Sequence, residues 1–406
     1  MNGFFLLFSG QAISVLGDFF GTTAQSVLVY RLTGSKVAMG TIWLCYLVPN
    51  IVLRMVGGPL LDRAERRKLL MVADWVRAFS FAAPAALHLT GRLEVWHLFA
   101  FAVLTGAAGA AFQPVLMAIV PDLVPHAGLT RANAALEGSR NLVALLGPAV
   151  GAAFVQAFGA GPALLIDAAS FALSALTFLW LRTPRKERPP AAAEPFLKEL
   201  SRGYLFFRDH PELLWLCGLV AVANMGEMAV MAQFLPYATE QPGTTIGGMG
   251  LLESAISLGA LLGTAVAGLC GEIRNRTAST MGAQAAGGAT LLAMGLAGRL
   301  EVALPLAMLW GSSAPFFNIV YQTIFQRVVP DHLRARVLAI RMMIAQSVSP
   351  FGAFLGGVVA EVWGLRVLFL GAGALSLAAA TIGWFQPTLR RIDGDLPGPE
   401  PLSPPV

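Results

Sequence analysis

Apolar residues in this chain come in long unbroken windows. Val95 to Pro121, Asn141 to Ile166, Thr277 to Gly298, Val302 to Gln326 and Val367 to Leu389 contain no Asp, Glu, Lys or Arg. A helix needs about 20 predominantly apolar residues to cross the hydrocarbon core of a bilayer, so each window is long enough to span it with some tilt. Filling the intervals predicts twelve spans, near residues 4–30, 37–61, 69–90, 95–120, 133–158, 162–181, 212–238, 246–270, 277–298, 302–326, 336–360 and 365–386. One long polar stretch, Arg182 to Pro211, divides them six and six. Its Pro-rich start reads as an exposed linker, and Phe196 to Phe207 alternates apolar and charged residues as an amphipathic surface helix does. The expected organisation is a first bundle over 1–181, a linker over 182–211, a second bundle over 212–386 and a Pro-rich disordered tail over 387–406.

Composition narrows the class. Of 406 residues, 56% are hydrophobic and 13% charged, against about 25% charged in a soluble domain, so a soluble enzyme is excluded. The net charge of +5 does not come from a basic tract. The cations are scattered through short gaps between apolar runs, which suits lipid headgroups and not nucleic acid. Most of the 28 Lys and Arg fall on one side of the twelve-span arrangement, while the other side holds Arg31, Lys36, Arg92, Arg299 and Arg366. The excess places both termini and the central linker in the cytoplasm. Cys45, Cys217 and Cys270 are odd in number and widely spaced, and read as small hydrophobes rather than a disulfide framework or metal site. The first apolar run lacks a charged leader and a small-residue cleavage site, so it reads as a retained helix.

An internal repeat reinforces the six-plus-six reading. After span 2, Gly58, Asp62 and Arg66 share the spacing of Gly268, Glu272 and Arg276 after span 8. Before span 5, Val124-Pro125 precedes Arg131 by the interval at which Val329-Pro330 precedes Arg336 before span 11. Parallel halves around a central site are an arrangement found in transporters.

The stretch Gly58-Pro-Leu-Leu-Asp62-Arg63-Ala-Glu-Arg66-Arg67-Lys68 resembles the loop signature of the major facilitator superfamily, with Glu65 in place of its second glycine. That departure is similar to the macrolide-efflux and siderophore-exporter branch, often called drug:proton antiporter family 3. Gly10-Gln11, Gly17-Asp18, the Asp74 and Arg77 pair and Pro121-Asp122 resemble the same branch. Span 5 resembles the antiporter signature at Gly138, Gly147, Pro148 and Gly151, departing at Ala152. The arginine that many drug antiporters carry in span 4 is absent. The resemblance implies an all-α integral membrane protein: twelve transmembrane helices in two pseudo-symmetric six-helix bundles, exporting by antiport. It also implies a cytoplasmic gate of Gly58, Asp62, Arg63, Arg66, Arg67, Asp74, Arg77, Arg140, Glu272 and Arg276, with Asp62 meeting the start of span 11 near Arg334 to Val337.

An ionisable side chain within a span costs at least about 2.5 kcal/mol and is a functional candidate by default. Asp18 in span 1 and Glu227 in span 7 occupy nearly equivalent places in the repeat, with Glu253 in span 8 behind them. Removal from water disfavours the charge of a carboxylate, which suits proton uptake and release. Asp167 reads as structural, and Arg54 as a partner for an acid such as Asp74. The cavity-lining candidates are Gln25, Tyr46, Asn50, Gln113, Asn141, Met228, Gln233, Asn318, Tyr321, Gln322 and Gln346. There is no phosphate-cradling loop and no His cluster with metal-ligand spacing. The expectation is therefore a monomeric, non-enzymatic secondary transporter without metal or cofactor. It draws on the proton gradient, with a small amphipathic substrate, protons and membrane lipids as its partners. A siderophore exporter, a lipid or lysolipid flippase, and a non-transporting receptor or scaffold stay open beside it.

Overall fold

A computed structural model describes residues 2–57, 65–181, 204–242, 244–271 and 273–393. Among them the chain is helical, without strands. The first six long helices are α1 (Asn2–Thr33), α2 (Lys36–Val56), α3 (Arg66–Leu89), α4 (Val95–Leu123), α5 (Leu129–Phe158) and α6 (Ala160–Trp180). The second set comprises α7 (Pro211–Met231) with the short α8 (Phe234–Thr239), then α9 (Ile246–Leu269), α10 (Arg276–Leu296) and α11 (Leu300–Val328). It ends with α12 (Asp331–Ser347), α13 (Ser349–Trp363) and α14 (Leu365–Phe385). Each predicted span has its helix, and two of the twelve are broken. The seventh breaks at Ala232 and Gln233, just before Pro236. The eleventh breaks at Val348, where Pro350 sits in the first turn of α13 and has no backbone N–H to continue the ladder.

Eleven of the described helices are long and apolar enough to cross a membrane. The remaining span, α10, is built from Ala, Gly and Thr, whose small side chains lower its hydropathy and let it pack tightly. Its Gly288 lies against the backbone of Gly373 on α14.

Packing follows the repeat. In the first set α1 lies on α5 and α6, α2 on α4, and α3 on α4 and α6. In the second, α7 lies on α13 and α14, α9 on α11, and α10 on α11 and α14. Gly159 and Gly364, which open α6 and α14, both have φ +87, a left-handed conformation that other residues adopt only with strain. Gly106 and Gly311 sit at matching places on α4 and α11. A β-carbon would overlap the carbonyl of Tyr46 at the first and that of Ile256 at the second.

The two sets meet along α5 with α9 and along α2 with α13. Their hydrogen-bonded contacts among the described residues gather at the end remote from the chain termini. Lys36 Nζ pairs with Glu240 at 2.7 Å, and Tyr30 donates to the same carboxylate at 3.4 Å. Glu361, on α13, accepts from the backbone N–H of Lys36 at 2.6 Å and from the Ser35 hydroxyl at 3.5 Å. Gln233 donates to the Lys36 carbonyl at 3.0 Å, and Gln156 accepts from Thr245 and Gly247.

The tail corrects one expectation. Residues Pro387–Ile392 form a short 3-10 helix with Leu389 and Ile392 buried. Arg276 donates to the Ile392 carbonyl at 2.8 Å, and Asp393 accepts from the N–H of Thr277. The two apolar side chains and the free N–H groups at the start of α10 hold it in place. Of the predicted amphipathic segment Phe196 to Phe207 only residues 204–207 are described; they open a short helix over 204–209, with Phe206 and Phe207 buried.

Candidate functional site

Asp18 lies midway along α1, partly accessible, with Phe19 packed beside it on the glycines of α5. A β-carbon at Gly147 would sit 2.5 Å from the Phe19 ring and one at Gly151 would sit 2.7 Å from the Phe19 carbonyl. The residues resembling the antiporter signature therefore set the approach of α5 to α1 at the residue next to Asp18. On its other side the carbonyl of Pro148 meets Gly250 of α9, across the junction between the two sets. Gly138 has open space around it.

Asp18 forms no ion pair among the described residues, and the arginines within this set's spans, Arg77 on α3 and Arg140 on α5, are engaged by other groups. Arg77 pairs with Asp74 one turn earlier at 3.5 Å. Its guanidinium lies 4.3 Å from the centroid of Phe112 and 5.3 Å from that of Phe171, cation–π contacts that hold it in place. Arg140 donates to Gln113 and lies 3.8 Å from Glu137. Asp74 and Asp167 are fully buried. Asp167 lies against α1 at Gly17 and Gly21, with the Ser170 hydroxyl 3.3 Å away. Around Gly109 the side chains of Asn50, Arg77 and Tyr46 converge at 2.9, 3.5 and 3.6 Å from where a β-carbon would stand. Asn50 donates to the Gly106 carbonyl at 3.0 Å. The result is a connected polar core of acids, arginines, amides and a tyrosine inside one six-helix set.

Several candidates land elsewhere than the loop spacing suggests. Asp74 and Arg77 belong to this interior cluster, not to a gate, because their helix turns them inward from the loop. Arg54 is exposed and forms no pair with Asp74. Arg66 binds Asp122 and the Ala118 carbonyl, and Arg67 binds the carbonyls of Phe178 and Leu179, so both tie helix ends within the first set. Arg276 performs the same task for the tail. Gly58, Asp62, Arg63 and Glu272 lie outside the described residues. Gln233 is no cavity residue. It is fully buried and seals the remote end through Lys36. Tyr321 is buried against Cys217 at 3.3 Å, Gln25 is buried, Met228 is half-buried, and Asn141, Gln322 and Gln346 are exposed.

The second set holds Glu227 on α7, which lines a cavity of ≈ 90 Å³ together with Asn224, Gln284, Trp310, Phe317 and Asn318. Glu253, one turn into α9 from Gly250, is half-buried. Among the described residues no cation pairs with Glu227 or Glu253. The contacts of Lys36, Glu240 and Glu361 escape sequence reading. Each stands alone near a helix end, and their only signal is that all three lie on the cation-poor side.

The family comparison completes the picture. The Major Facilitator Superfamily pattern matches residues 7–353 and 217–405. The chain belongs to the major facilitator superfamily. It is 27% identical over 379 residues to the multidrug efflux pump Tap of Mycolicibacterium fortuitum, covering 90% of this chain and 91% of that one. It is 22% identical to macrolide efflux protein A of Streptococcus pyogenes, covering 96% and 97%. Solved structures with the same fold include the nucleoside transporter NupG, with TM-score 0.74 at 14% identity over 94% of this chain and 98% of that one. A bacterial homologue of the iron transporter ferroportin in an inward-facing state has TM-score 0.74 at 15% identity, with the same coverage. As a member of the superfamily the chain is a multi-pass membrane transporter built as two six-helix bundles, and its polar core lies inside the first bundle.

Proposed function

We propose that this transporter exports small amphipathic molecules from a bacterial cytoplasm across the inner membrane, in exchange for protons. It works by alternating access, as a monomer with both termini cytoplasmic. The similarity to a multidrug efflux pump and a macrolide efflux protein supports export of such compounds. The excess of Lys and Arg on the side of the termini supports the orientation.

The observation that carries proton coupling is Asp18 itself, an acid midway along the membrane span α1, partly accessible and next to Phe19, on which Gly147 and Gly151 of α5 close. The arginines within the same bundle, Arg77 and Arg140, are held by Asp74, Glu137 and Gln113. A charged Asp18 competes for them, and a protonated one leaves them to those partners. Asp18 sits on the helix that Gly147 and Gly151 press against α5, and α5 carries the junction to α9. A change of partner at Asp18 thus reaches the surface on which the two bundles move.

Reconstitution into proteoliposomes tests the reading. A panel of amphipathic compounds is offered under an imposed pH gradient, with native protein beside Asp18→Asn. Transport that rises with the gradient and is lost in Asp18→Asn is expected. Transport indifferent to the gradient overturns proton coupling, and net movement only toward the cytoplasmic side overturns export.

A further inference from the structure

The repeat relates the two bundles residue by residue. Setting Asn2 against Pro211, the first residues of α1 and α7, places Asp18 opposite Glu227 and Gly17 opposite Gly226. Setting Arg66 against Arg276 places Asp74 opposite Gln284 and Arg77 opposite Gly287. Setting Val95 against Leu300 places Phe112 opposite Phe317 and Gln113 opposite Asn318. Setting Ala160 against Leu365 places Asp167 opposite Ala372. Val124-Pro125 against Val329-Pro330 sets Arg140 opposite Ala345.

In the first bundle the space between these residues is filled by the protein's own cation. The Arg77 guanidinium lies over Phe112 and pairs with Asp74. In the second bundle the acid and the aromatic ring remain, as Glu227 and Phe317, while the two arginines are replaced by glycine and alanine. What stands there is a cavity of ≈ 90 Å³, lined by Glu227, Gln284, Gly287, Phe317, Asn318 and Ala372. Arg341, midway along α12, is engaged on Tyr321 and Phe325 at 4.7 and 5.2 Å. Among the described residues, Glu227 has no cation. An unpaired carboxylate within a membrane span is costly and marks a functional site.

We infer that this cavity receives the guanidinium or ammonium head of an amphipathic cation, which takes the place that Arg77 holds in the first bundle. The head pairs with Glu227, lies on Phe317 as Arg77 lies on Phe112, and meets the amides of Asn318 and Gln284. Its volume sets the limit of what enters. A drug-sized ligand occupies about 300–1,000 Å³, so the cavity takes the charged head while the apolar body stays in the space between the bundles. The two carboxylates then divide their tasks: Asp18 answers to the protein's arginines and protons, Glu227 to the cargo. The inference rests on the export reading for its cargo and names the chemical class of that cargo.

Binding of phenylbutylguanidinium and of its neutral isostere phenylbutylurea, measured by calorimetry on the purified full-length protein at neutral pH, tests it without any gradient. The native protein is expected to prefer the guanidinium by about tenfold or more. Glu227→Gln should level the two affinities. Gly287→Arg, which supplies an internal cation at the position equivalent to Arg77, should abolish guanidinium binding with the unfolding temperature unchanged. Equal affinities in the native protein, or a preference that survives Glu227→Gln, overturn the inference, and the second criterion stands even if Gly287→Arg does not fold. Guanidinium binding without gradient-driven transport would sink the export reading alone. Gradient-driven transport with no cation preference would sink this one alone.

Discussion

The two bundles share a helix order, a pattern of packing and matched glycines, yet differ in where they keep their charge. The first holds Asp18, Asp74, Asp167, Arg77 and Arg140 within its helices, with Arg77 paired to Asp74 and Arg140 held by Gln113 and Glu137. The second leaves Glu227 and Glu253 without cations among the described residues and opens a cavity instead. Duplicated architecture therefore does not mean duplicated chemistry. One copy carries arginines of its own at these places, and the other has glycine and alanine there.

The sharpest way to break this comparison is to remove the internal cation. Arg77→Met leaves the buried Asp74 short of its partner, and breaking a buried pair by deleting one member costs about 3–5 kcal/mol. A clear fall in the thermal unfolding temperature in detergent is expected. Gly287→Ala at the equivalent position should change stability by less than about 1 kcal/mol, because the tightest contact of its β-carbon would be the Ser313 hydroxyl at 3.0 Å, with Trp310 at an ordinary 3.6 Å. Equal effects at the two positions would erase the contrast.

Transport sharpens it next. Asp18→Asn, which removes the titrating group, should lower gradient-driven flux by about a hundredfold, the low end of what a positioned proton-transfer group contributes. Glu227→Gln should leave the response to the gradient intact for uncharged compounds. Flux of an uncharged compound through both variants in the same liposomes checks the division. A smaller effect belongs to the contact between bundles. The Lys36–Glu240 pair is partly exposed, and such pairs are worth about 0.2–1 kcal/mol. Lys36→Met should thus shift the closed population by at most about fivefold. Distances between spin labels at Arg31 and Trp363, in a background without the native cysteines, read that shift.

Much of the fold was legible because a bilayer demands long uncharged windows. The five charge-free stretches anchor α4, α5, α10, α11 and α14, and the repeated Gly58 and Gly268 motifs align the bundles. The α10 helix is legible mainly by its place in the count, since Gly, Ala and Thr give weak hydropathy. The site was legible in part. Asp18 and Glu227 stood out because lipid makes them costly, and their equivalence follows from the repeat. Arg77 read as a gate residue because spacing from Asp74 is local information, whereas its stacking on Phe112 and Phe171 brings together three helices. Lys36, Glu240 and Glu361 were hidden because a charge near a helix end is ordinary until the chain folds. The ordered start of the tail was masked by its proline content, although Leu389 and Ile392 have a buried place to go.

Glu361 reaches from α13 to the first backbone N–H of α2, so a helix end in one bundle is capped by a side chain from the other. Dissolved salt screens exposed charges over about 8 Å at physiological ionic strength, which weakens Lys36–Glu240. A short hydrogen bond from a peptide N–H to a carboxylate is far less sensitive. The contact between the bundles at the remote end therefore has one component that fades in brine and one that persists.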